Sequence, residues 1–424
     1  MKIAVNYGEF DDLPILDKSR ELENYLGEEI CVESLKSEPF LLTVTQDMKK
    51  RASTYDVISF APVWIQQVVE KRGILDLGGL IENKATTYDT IEGLNGDFFE
   101  NYLGYNAWYN EKTQMPGQAR GSGLIAIPGA HSGGAVLNYR QDILDKYHIP
   151  VPQTWEEFNE AAKKITSSES GVYGATIYGN TKGFFPIFDW YNRLVSLGGK
   201  QFRGTVGGRS ITSCANSTEG IKAYNLIKDL LPFMPKDALD TTLEIGKEKM
   251  LQGEIAMQIN VTSFTMPGDF YDRNSSKVYD TIETEQIPGE KGFRGVGYGG
   301  GLSWSIPRNA KNINNSWKCI QFLASKTFDK YRCMKYGTTP MRRSTVQDTN
   351  VQKAQPWIRC MEPIIDRAVE PEYFYIPEAF EIAAIINDII RTGLQNELEA
   401  SLVMKELDKK INEVLIRGGW KLNG

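Results

Sequence analysis

Histidine is scarce in this 424-residue chain, which contains only His131 and His148. The five cysteines are Cys31, Cys214, Cys319, Cys333 and Cys360. They form no C-x-x-C pair, and neither H-E-x-x-H nor zinc-ribbon spacing occurs. We therefore expect no metal and no cofactor. An odd number of cysteines allows two bridges and one free thiol, but isolated buried thiols are the expectation.

The chain also lacks an excess of positive charge. Lysine and arginine number 48 against 54 aspartate and glutamate, a net charge of −6, so a nucleic-acid partner is not expected. No apolar run approaches the roughly 18 residues of a membrane span. The N-terminus shows no basic start, apolar stretch and small-residue cleavage site. We expect either a cytoplasmic protein or a mature chain that begins after a removed leader.

Short apolar runs alternate with amphipathic segments, which is typical of an α/β protein. The predicted strands are Ile3–Tyr7, Ile30–Ser34, Asp56–Phe60, Leu124–Pro128, Ala135–Tyr139, Ala256–Asn260 and Leu302–Pro307. Thr154 and Glu157 have the spacing of a capping box, which predicts a helix from that point. A second helix is predicted to open within Asn216–Glu219, with an apolar stripe of Ile221, Tyr224, Ile227 and Leu231. A third is predicted through Leu398, Leu402, Leu407, Ile411 and Val414, and both stripes are expected to be core.

Three enzyme motifs are present only in part. Residues 295–300 (GVGYGG) match G-x-G-x-x-G, but they precede a strand instead of following one, which argues against a dinucleotide site. Residues 130–134 (AHSGG) resemble a nucleophile elbow, but a strand and not a helix follows Ser132. Carboxylates are plentiful, so a glycosidase with two cleft carboxylates stays open as an alternative.

Aromatic and small planar polar side chains interleave in several predicted loops. Examples are residues 60–64 (FAPVW), 178–185 (YGNTKGFF), 260–264 (NVTSF) and 371–375 (PEYFY). Flat rings can cover the apolar faces of a sugar, while amide and carboxylate groups bind its hydroxyls. Any one of these rings is more often a core residue than a ligand contact. Their collective position after predicted strands favours a carbohydrate ligand.

The order of segments resembles the extracellular solute-binding proteins of carbohydrate ABC importers, the family that includes maltodextrin-binding protein. The resemblance covers nearly the whole chain. The matching segments are 55–58 (YDVI), Trp64, 73–77 (GILDL), 124–128 (LIAIP), 136–140 (VLNYR), 152–158 (PQTWEEF), 253–257 (GEIAM), 300–307 (GGLSWSIP), 317–322 and 340–342 (PMR). Tyr139-Arg140 stands where the family usually has Tyr-Asn.

The resemblance implies a type II periplasmic-binding-protein fold, with two α/β lobes, a hinge and a ligand cleft between the lobes. The expected N-terminal lobe comprises residues 1–128 and 295–344. The expected C-terminal lobe comprises residues 129–294 and 345–424. The chain would cross between lobes near Pro128–Gly134, Ile287–Gly301 and Met341–Ser344. Hinge closure around a ligand is known for periplasmic binding proteins.

The resemblance also implies a set of ligand-binding positions, each of which follows a strand or lies near a crossing. They are Glu9, Phe60, Trp64, His131, Ser132, Tyr178, Asn180, Phe184, Asp189, Asn260, Thr262, Phe264, Gly300, Arg342 and Tyr373.

The expected function is non-catalytic. The protein would bind a sugar, oligosaccharide or polyol and deliver it to the permease of an ABC importer. By the same resemblance it would act as a monomer outside the cytoplasmic membrane, in the periplasm or as an anchored lipoprotein. The alternatives are a glycoside hydrolase and a sensory carbohydrate-binding module.

Overall fold

We analysed a computed structural model of the chain. It describes residues 1–6, 8–68, 73–82, 91, 94, 96–113, 115–117, 120–181, 185–263, 265 and 267–423. The side chains of residues 8–11, 37–38, 60, 66–67, 82, 130–131 and 185–187 lie outside this description.

The described residues contain fourteen strands. They are β1 Lys2–Asn6, β2 Cys31–Leu35, β3 Val57–Phe60, β4 Trp108–Asn110, β5 Met115–Pro116, β6 Gly123–Leu124, β7 Ile127–Ser132, β8 Ala135–Arg140, β9 Tyr173–Ala175, β10 Phe202–Thr205, β11 Ser210–Ser213, β12 Ile255–Val261, β13 Ile282–Gln286 and β14 Gly301–Ser305.

Eighteen α-helices are described. They are α1 Gly8–Asp17, α2 Ser19–Leu26, α3 Ser37–Asp47, α4 Ile65–Val68, α5 Gly78–Glu82, α6 Glu100–Asn106, α7 Gln141–Lys146, α8 Trp155–Ser168, α9 Phe185–Ser196, α10 Thr218–Lys228, α11 Leu243–Leu251, α12 Ile313–Leu323, α13 Lys326–Tyr336, α14 Arg343–Val346, α15 Thr349–Ala354, α16 Met361–Arg367, α17 Ala379–Gln395 and α18 Ala400–Arg417.

The chain divides into two compact units. The first comprises Met1–Ser132, Gly300–Asp366 and Phe374–Ile376, and the second comprises Gly133–Gly299, Arg367–Tyr373 and Pro377–Gly424. The chain therefore passes between units at residues 132/133 and 299/300, and again at 366/367 with a short return at 374–376.

This division corrects the expected position of the third crossing, at Met341–Ser344, and the assignment of residues 345–366 to the C-terminal lobe. That segment belongs to the first unit because its side chains bond there. Lys330 forms an ion pair with Asp348, and Arg343 lies 3.2 Å from Glu362.

The first unit is built on a five-stranded sheet with the order β2-β1-β3-β14-β7. β1 runs parallel to β2 and β3, whereas β14 is antiparallel to β3 and β7. The β1 run Ile3–Val5 is completely buried, as expected for a strand covered on both faces. Trp317, Ile320 and Leu323 share a face of α12 and are fully buried in the core.

The second unit is built on a four-stranded sheet with the order β13-β8-β12-β9. β8 is antiparallel to both β12 and β13, and β9 is parallel to β12. The predicted capping box is confirmed: the amide of Glu157 donates to Thr154 Oγ1 at 3.2 Å, and Thr154 N donates to Glu157 Oε2 at 3.1 Å. Trp155 and Ile165 of the same helix, α8, are completely buried.

Two helix predictions need correction. The predicted opening of the second helix within Asn216–Glu219 is confirmed, since Ser217 caps α10 by accepting from the Gly220 amide, but α10 ends at Lys228 and does not reach Leu231. The predicted core stripe of the last helix included Leu398 and Leu402, which are 44% and 63% exposed. Leu398 lies before α18, and Leu402 lies on its outer face. The buried face of this helix carries Val403, Leu407, Ile411 and Val414.

The cysteines are all free thiols, as expected, but not all of them are buried. Cys214, Cys319 and Cys333 are buried, Cys360 is half-buried and Cys31 is exposed. Burial raises the pKa of Cys214 to about 11. The thiolate form is therefore disfavoured at this position.

Candidate functional site

Three of the predicted site residues in the first unit lie where strands of its sheet end. Phe60 is the last residue of β3 and pairs with Ser303 of β14, while His131 lies near the end of β7 opposite Leu302. The side chains of Phe60, His131 and Glu9 lie outside the described residues. The Ser132 side chain is fully buried, and its Oγ donates to the carbonyl of Pro340 at 2.6 Å.

Trp64 lies in a 3-10 helix, Pro62–Trp64, that directly follows β3. Proline at the first position presets the backbone for this turn. The indole is only 5% exposed, and its ring centroid lies 5.2 Å from that of Phe40 on α3. This packing places Trp64 among the hydrophobic core residues of the first unit.

Arg342 is held by a dense set of contacts inside the first unit. Its Nη1 donates to Asp97 Oδ2 at 2.7 Å, and its Nε and Nη2 donate to the carbonyl of Ala324. The guanidinium lies 4.0 Å from the ring centroid of Phe98. Burial opposes the charge of Asp97, but the bonds from Arg342 and Ser344 prevail and lower the pKa of this carboxyl. The arrangement gives Arg342 a structural role.

In the second unit, Tyr178 and Asn260 come together although 82 residues separate them. Tyr178 follows β9, and Asn260 lies on β12, which pairs with β9. The Tyr178 hydroxyl donates to Asn260 Oδ1. Asn260 Nδ2 donates to Asn138 Oδ1 at 2.7 Å. Burial raises the pKa of Tyr178 well above its usual value, so its hydroxyl remains a donor.

Asp189 lies on α9 and contacts the backbone of Tyr178. Its Oδ2 accepts from the Tyr178 amide at 2.9 Å, and its Oδ1 accepts from Arg193 Nη1 at 3.2 Å. Arg193 in turn lies 4.4 Å from the ring centroid of Trp155. Burial raises the pKa of Asp189, and the Arg193 charge opposes that shift. Because both oxygens bond internally, Asp189 fixes the start of the segment after β9.

The other predicted positions are spread through the described chain. Asn180 Nδ2 donates to the carbonyl of Asp240 at 3.2 Å, and Thr262 Oγ1 accepts from the Gly134 amide at 3.1 Å. Gly300 has a φ of 69°, which favours glycine. Tyr373 is completely buried, with its ring centroid 6.1 Å from that of Phe202. Phe184 and Phe264 lie outside the described residues.

A polar pair on β8 and β13 was missed by the sequence reasoning. Asn138 Nδ2 donates to Thr284 Oγ1 at 2.7 Å, and this hydroxyl lies 2.8 Å from that of Tyr271. The available signal was a single amide within the apolar run AVLNYR. Polar residues on buried strands need hydrogen-bond partners, so such an amide predicts a network.

Within the described ranges, no cluster of three or more histidine, cysteine or carboxylate side chains has the geometry to hold a metal ion. None of the described helices combines the length and the apolar character needed to cross a membrane.

A family model for bacterial extracellular solute-binding proteins matches residues 25–328, which is more than half of the chain. The chain belongs to this family. Solute-binding proteins of solved structure share its fold. One from Agrobacterium radiobacter K84, in complex with ribitol, is 22% identical, covers 98% of both chains and gives a TM-score of 0.80.

Two further structures show the same likeness. The maltose-bound MalE3 of T. maritima is 19% identical over 97% of this chain and 99% of its own, with a TM-score of 0.78. A solute-binding protein of Agrobacterium vitis S4 with bound D-mannitol is also 19% identical, over 99% of both chains, with a TM-score of 0.76. The predicted periplasmic-binding-protein fold, with two α/β lobes, is therefore confirmed. The family consists of binding proteins and not of enzymes.

Proposed function

We propose that this protein captures a sugar, oligosaccharide or polyol in a cleft between its two lobes and delivers it to the permease of an ABC importer. The observation that carries the proposal is the family match over residues 25–328, in a chain built of two α/β units. Three solute-binding proteins of the same fold hold ribitol, maltose and D-mannitol. Binding alone would be the task, with no bond broken.

The strand ends of each unit support a ligand of this class. Ligands of α/β proteins bind outside the carboxyl ends of strands, where loops present side chains. In the first unit β3 ends at Phe60; in the second, the segments after β9 and β12 carry Asn180 and Thr262. Rings, amides and hydroxyls of this kind suit the apolar faces and hydroxyl groups of a sugar.

Two of the charged candidates are already paired inside their own units. The Arg342 guanidinium is paired with Asp97 inside the first unit. Asp189 is likewise paired with Arg193. We propose an uncharged ligand, like the ribitol, maltose and D-mannitol that the solved relatives hold. The protein would act as a monomer outside the cytoplasmic membrane, where a lipid anchor would hold it near the permease.

Thermal unfolding of the purified chain with ribitol, D-mannitol, D-tagatose, maltose and D-gluconate tests the proposal. A ligand at 100 times its Kd stabilises a protein by about 2.7 kcal/mol, which raises its melting temperature measurably. We expect at least one neutral compound to do so and the gluconate anion not to. An absence of any shift across the neutral compounds would contradict the proposal.

Two further measurements separate the alternatives. Saturating ligand should reduce the radius of gyration in small-angle scattering, because hinge closure compacts the molecule. Chromatography of maltose and longer maltodextrins after incubation should show no hydrolysis products. Products that appear with enzyme-like turnover would favour the glycoside hydrolase instead.

A further inference from the structure

Five side chains form a continuous hydrogen-bonded chain through the sheet of the second unit. We call this set the amide relay; its members are Tyr178, Asn260, Asn138, Thr284 and Tyr271. The Tyr178 hydroxyl donates to Asn260, and Asn260 donates to Asn138 at 2.7 Å. Asn138 donates to Thr284 at 2.7 Å, and Thr284 lies 2.8 Å from the Tyr271 hydroxyl.

The middle of the relay has little freedom. Asn138 and Asn260 are completely buried, and each amide uses its oxygen as acceptor on one side and its nitrogen as donor on the other. Asn138 lies on β8 directly opposite Thr284 of β13, so the backbone register fixes their approach. An amide that turned over would place two donors or two acceptors against each other. The relay therefore holds Asn260 Oδ1 toward Tyr178.

Tyr178 lies in the segment between β9 and α9, which also carries the predicted ligand contact Asn180. Its hydroxyl is fixed by the relay, and its amide is fixed separately by Asp189. The next part of the segment has anchors of its own. The Gly179 amide donates to the carbonyl of Ala238 at 3.2 Å, and Arg391 Nη1 donates to the Gly179 carbonyl at 2.9 Å.

We propose that Asn138 is a positioning residue for ligand binding, acting through Asn260 on Tyr178 and the segment that follows it. The inference rests on the proposed function and adds a residue that does not itself touch the ligand. Loss of the Asn138 acceptor frees the Asn260 amide to turn, and Tyr178 then loses its partner. Because Gly179 and Asn180 keep their own bonds, the effect concerns the geometry of the segment and not its folding.

The test compares Asn138→Leu with a matched control, Asn159→Leu. Asn159 is a buried amide on α8 of the same unit, and its Nδ2 donates to the carbonyl of Leu226 at 2.8 Å. Both variants therefore lose one buried amide, but Asn159 lies outside the relay. The probes are ribitol, D-mannitol and maltose, with Kd measured by isothermal titration calorimetry at a temperature at which all variants are folded.

We expect Asn138→Leu to weaken binding of the active probe by about tenfold, the equivalent of one lost buried hydrogen bond. Asn159→Leu should bind within about twofold of the wild type, because the Asn159 amide makes no bond to the relay. A twofold change in Kd corresponds to less free energy than one buried hydrogen bond. Asn138→Asp should restore affinity, because a carboxyl oxygen accepts from Asn260 and the Thr284 hydroxyl can either donate or accept. Thr284→Val, which removes the hydroxyl that holds the Asn138 amide from the other side, should weaken binding as Asn138→Leu does and decides the matter if the leucine variant does not fold.

Equal affinities for Asn138→Leu and Asn159→Leu, with a wild type that binds, would overturn this inference and leave the proposed function intact. The inference would also be overturned if Asn138→Asp bound the probe as weakly as Asn138→Leu. A wild-type chain that binds none of the probes would contradict both the proposed function and the positioning role.

Discussion

Arg342 and Asp97 form an ion pair in the first unit, with Arg342 Nη1 2.7 Å from Asp97 Oδ2 although 245 residues separate them. The Arg342 side chain is completely buried, and that of Asp97 is 14% exposed. A buried guanidinium needs a counter-charge, since desolvation of an unpaired ion is costly. The pair therefore joins the segment before α6 to the one before α14.

Asp97→Asn should lower the free energy of unfolding by about 3 kcal/mol, because it leaves the buried Arg342 charge unpaired. Urea denaturation followed by circular dichroism measures the change. The matched control is Asp366→Asn, whose partner Arg343 follows Arg342 in the chain but is 26% exposed. Such a surface pair contributes less than about 1 kcal/mol. Equal losses for the two variants would contradict the role given to Arg342.

Asp47 provides a pH-dependent contribution to stability. Its carboxylate accepts from Ser53 Oγ at 2.5 Å, from the Thr54 amide at 2.9 Å and from Lys50 Nζ at 2.7 Å. Burial opposes the charge, but these bonds lower the pKa of Asp47 to about 2. An unfolded aspartate has a pKa of about 3.9. The contribution is therefore fully present above that value and is lost as the pH falls toward 2.

Asp47→Asn should cost about 1 to 3 kcal/mol at pH 7, the range for a lost set of buried hydrogen bonds to a charged group. The difference between wild type and variant should shrink as the pH falls from 5 to 2.5, because the wild-type carboxylate is then increasingly protonated on unfolding. Urea midpoints at several pH values measure this difference. A gap that stays constant over this range would show that the charge of Asp47 does not stabilise the fold.

Gln258 is a buried amide in the middle of β12. It is completely buried, and neither its Oε1 nor its Nε2 has a hydrogen-bond partner among the described residues. A buried polar group without a partner costs about 1 to 3 kcal/mol relative to one that is satisfied. Gln258→Met, which keeps the length of the side chain, should therefore leave stability unchanged or raise it by about 1 kcal/mol.

Asn159→Leu serves as the comparison for Gln258→Met, since it removes an amide that does donate a hydrogen bond. It should lower the free energy of unfolding by about 1 to 3 kcal/mol by leaving the Leu226 carbonyl unpaired. Thermal unfolding of the ligand-free chains gives both values. If Gln258→Met were destabilised as much as Asn159→Leu, the Gln258 amide would have to be satisfied in the native protein.

Much of the fold was predictable because its signals are local. Each of the seven predicted strands overlaps a strand of the structure, although β9 and β13 of the second sheet were not predicted. The Thr154 and Glu157 pair located the start of α8. The glycine-rich stretches around residues 133 and 299 were visible as well. A Cβ on Gly133 would lie 1.9 Å from the Gly299 carbonyl oxygen, so close packing requires glycine there.

The roles of individual side chains were less predictable because their partners are distant in the sequence. Asp189 and Arg342 suit a polar ligand by residue type alone, and only the fold reveals Arg193 and Asp97 beside them. Asn138 was overlooked because residues 136–140 were matched to the family as one segment, and the single amide within that segment was not considered separately. The amide relay depends on the register of β8, β12 and β13, which no local spacing encodes.

Trp64 was predicted from the sequence to contact the ligand, whereas its packing in the first unit makes it a core residue. As a ligand contact, it could be replaced by alanine with little change in the stability of the ligand-free chain. The structure predicts the contrary: an indole 5% exposed and packed against Phe40 belongs to the core, and its loss should cost about 3 to 5 kcal/mol. Tyr25→Ala, a control on a ring that is 49% exposed, should cost about 1 kcal/mol or less. Urea denaturation without ligand separates the two interpretations. If the Trp64→Ala chain kept its stability and bound sugar more weakly, Trp64 would be a ligand contact and not a core residue.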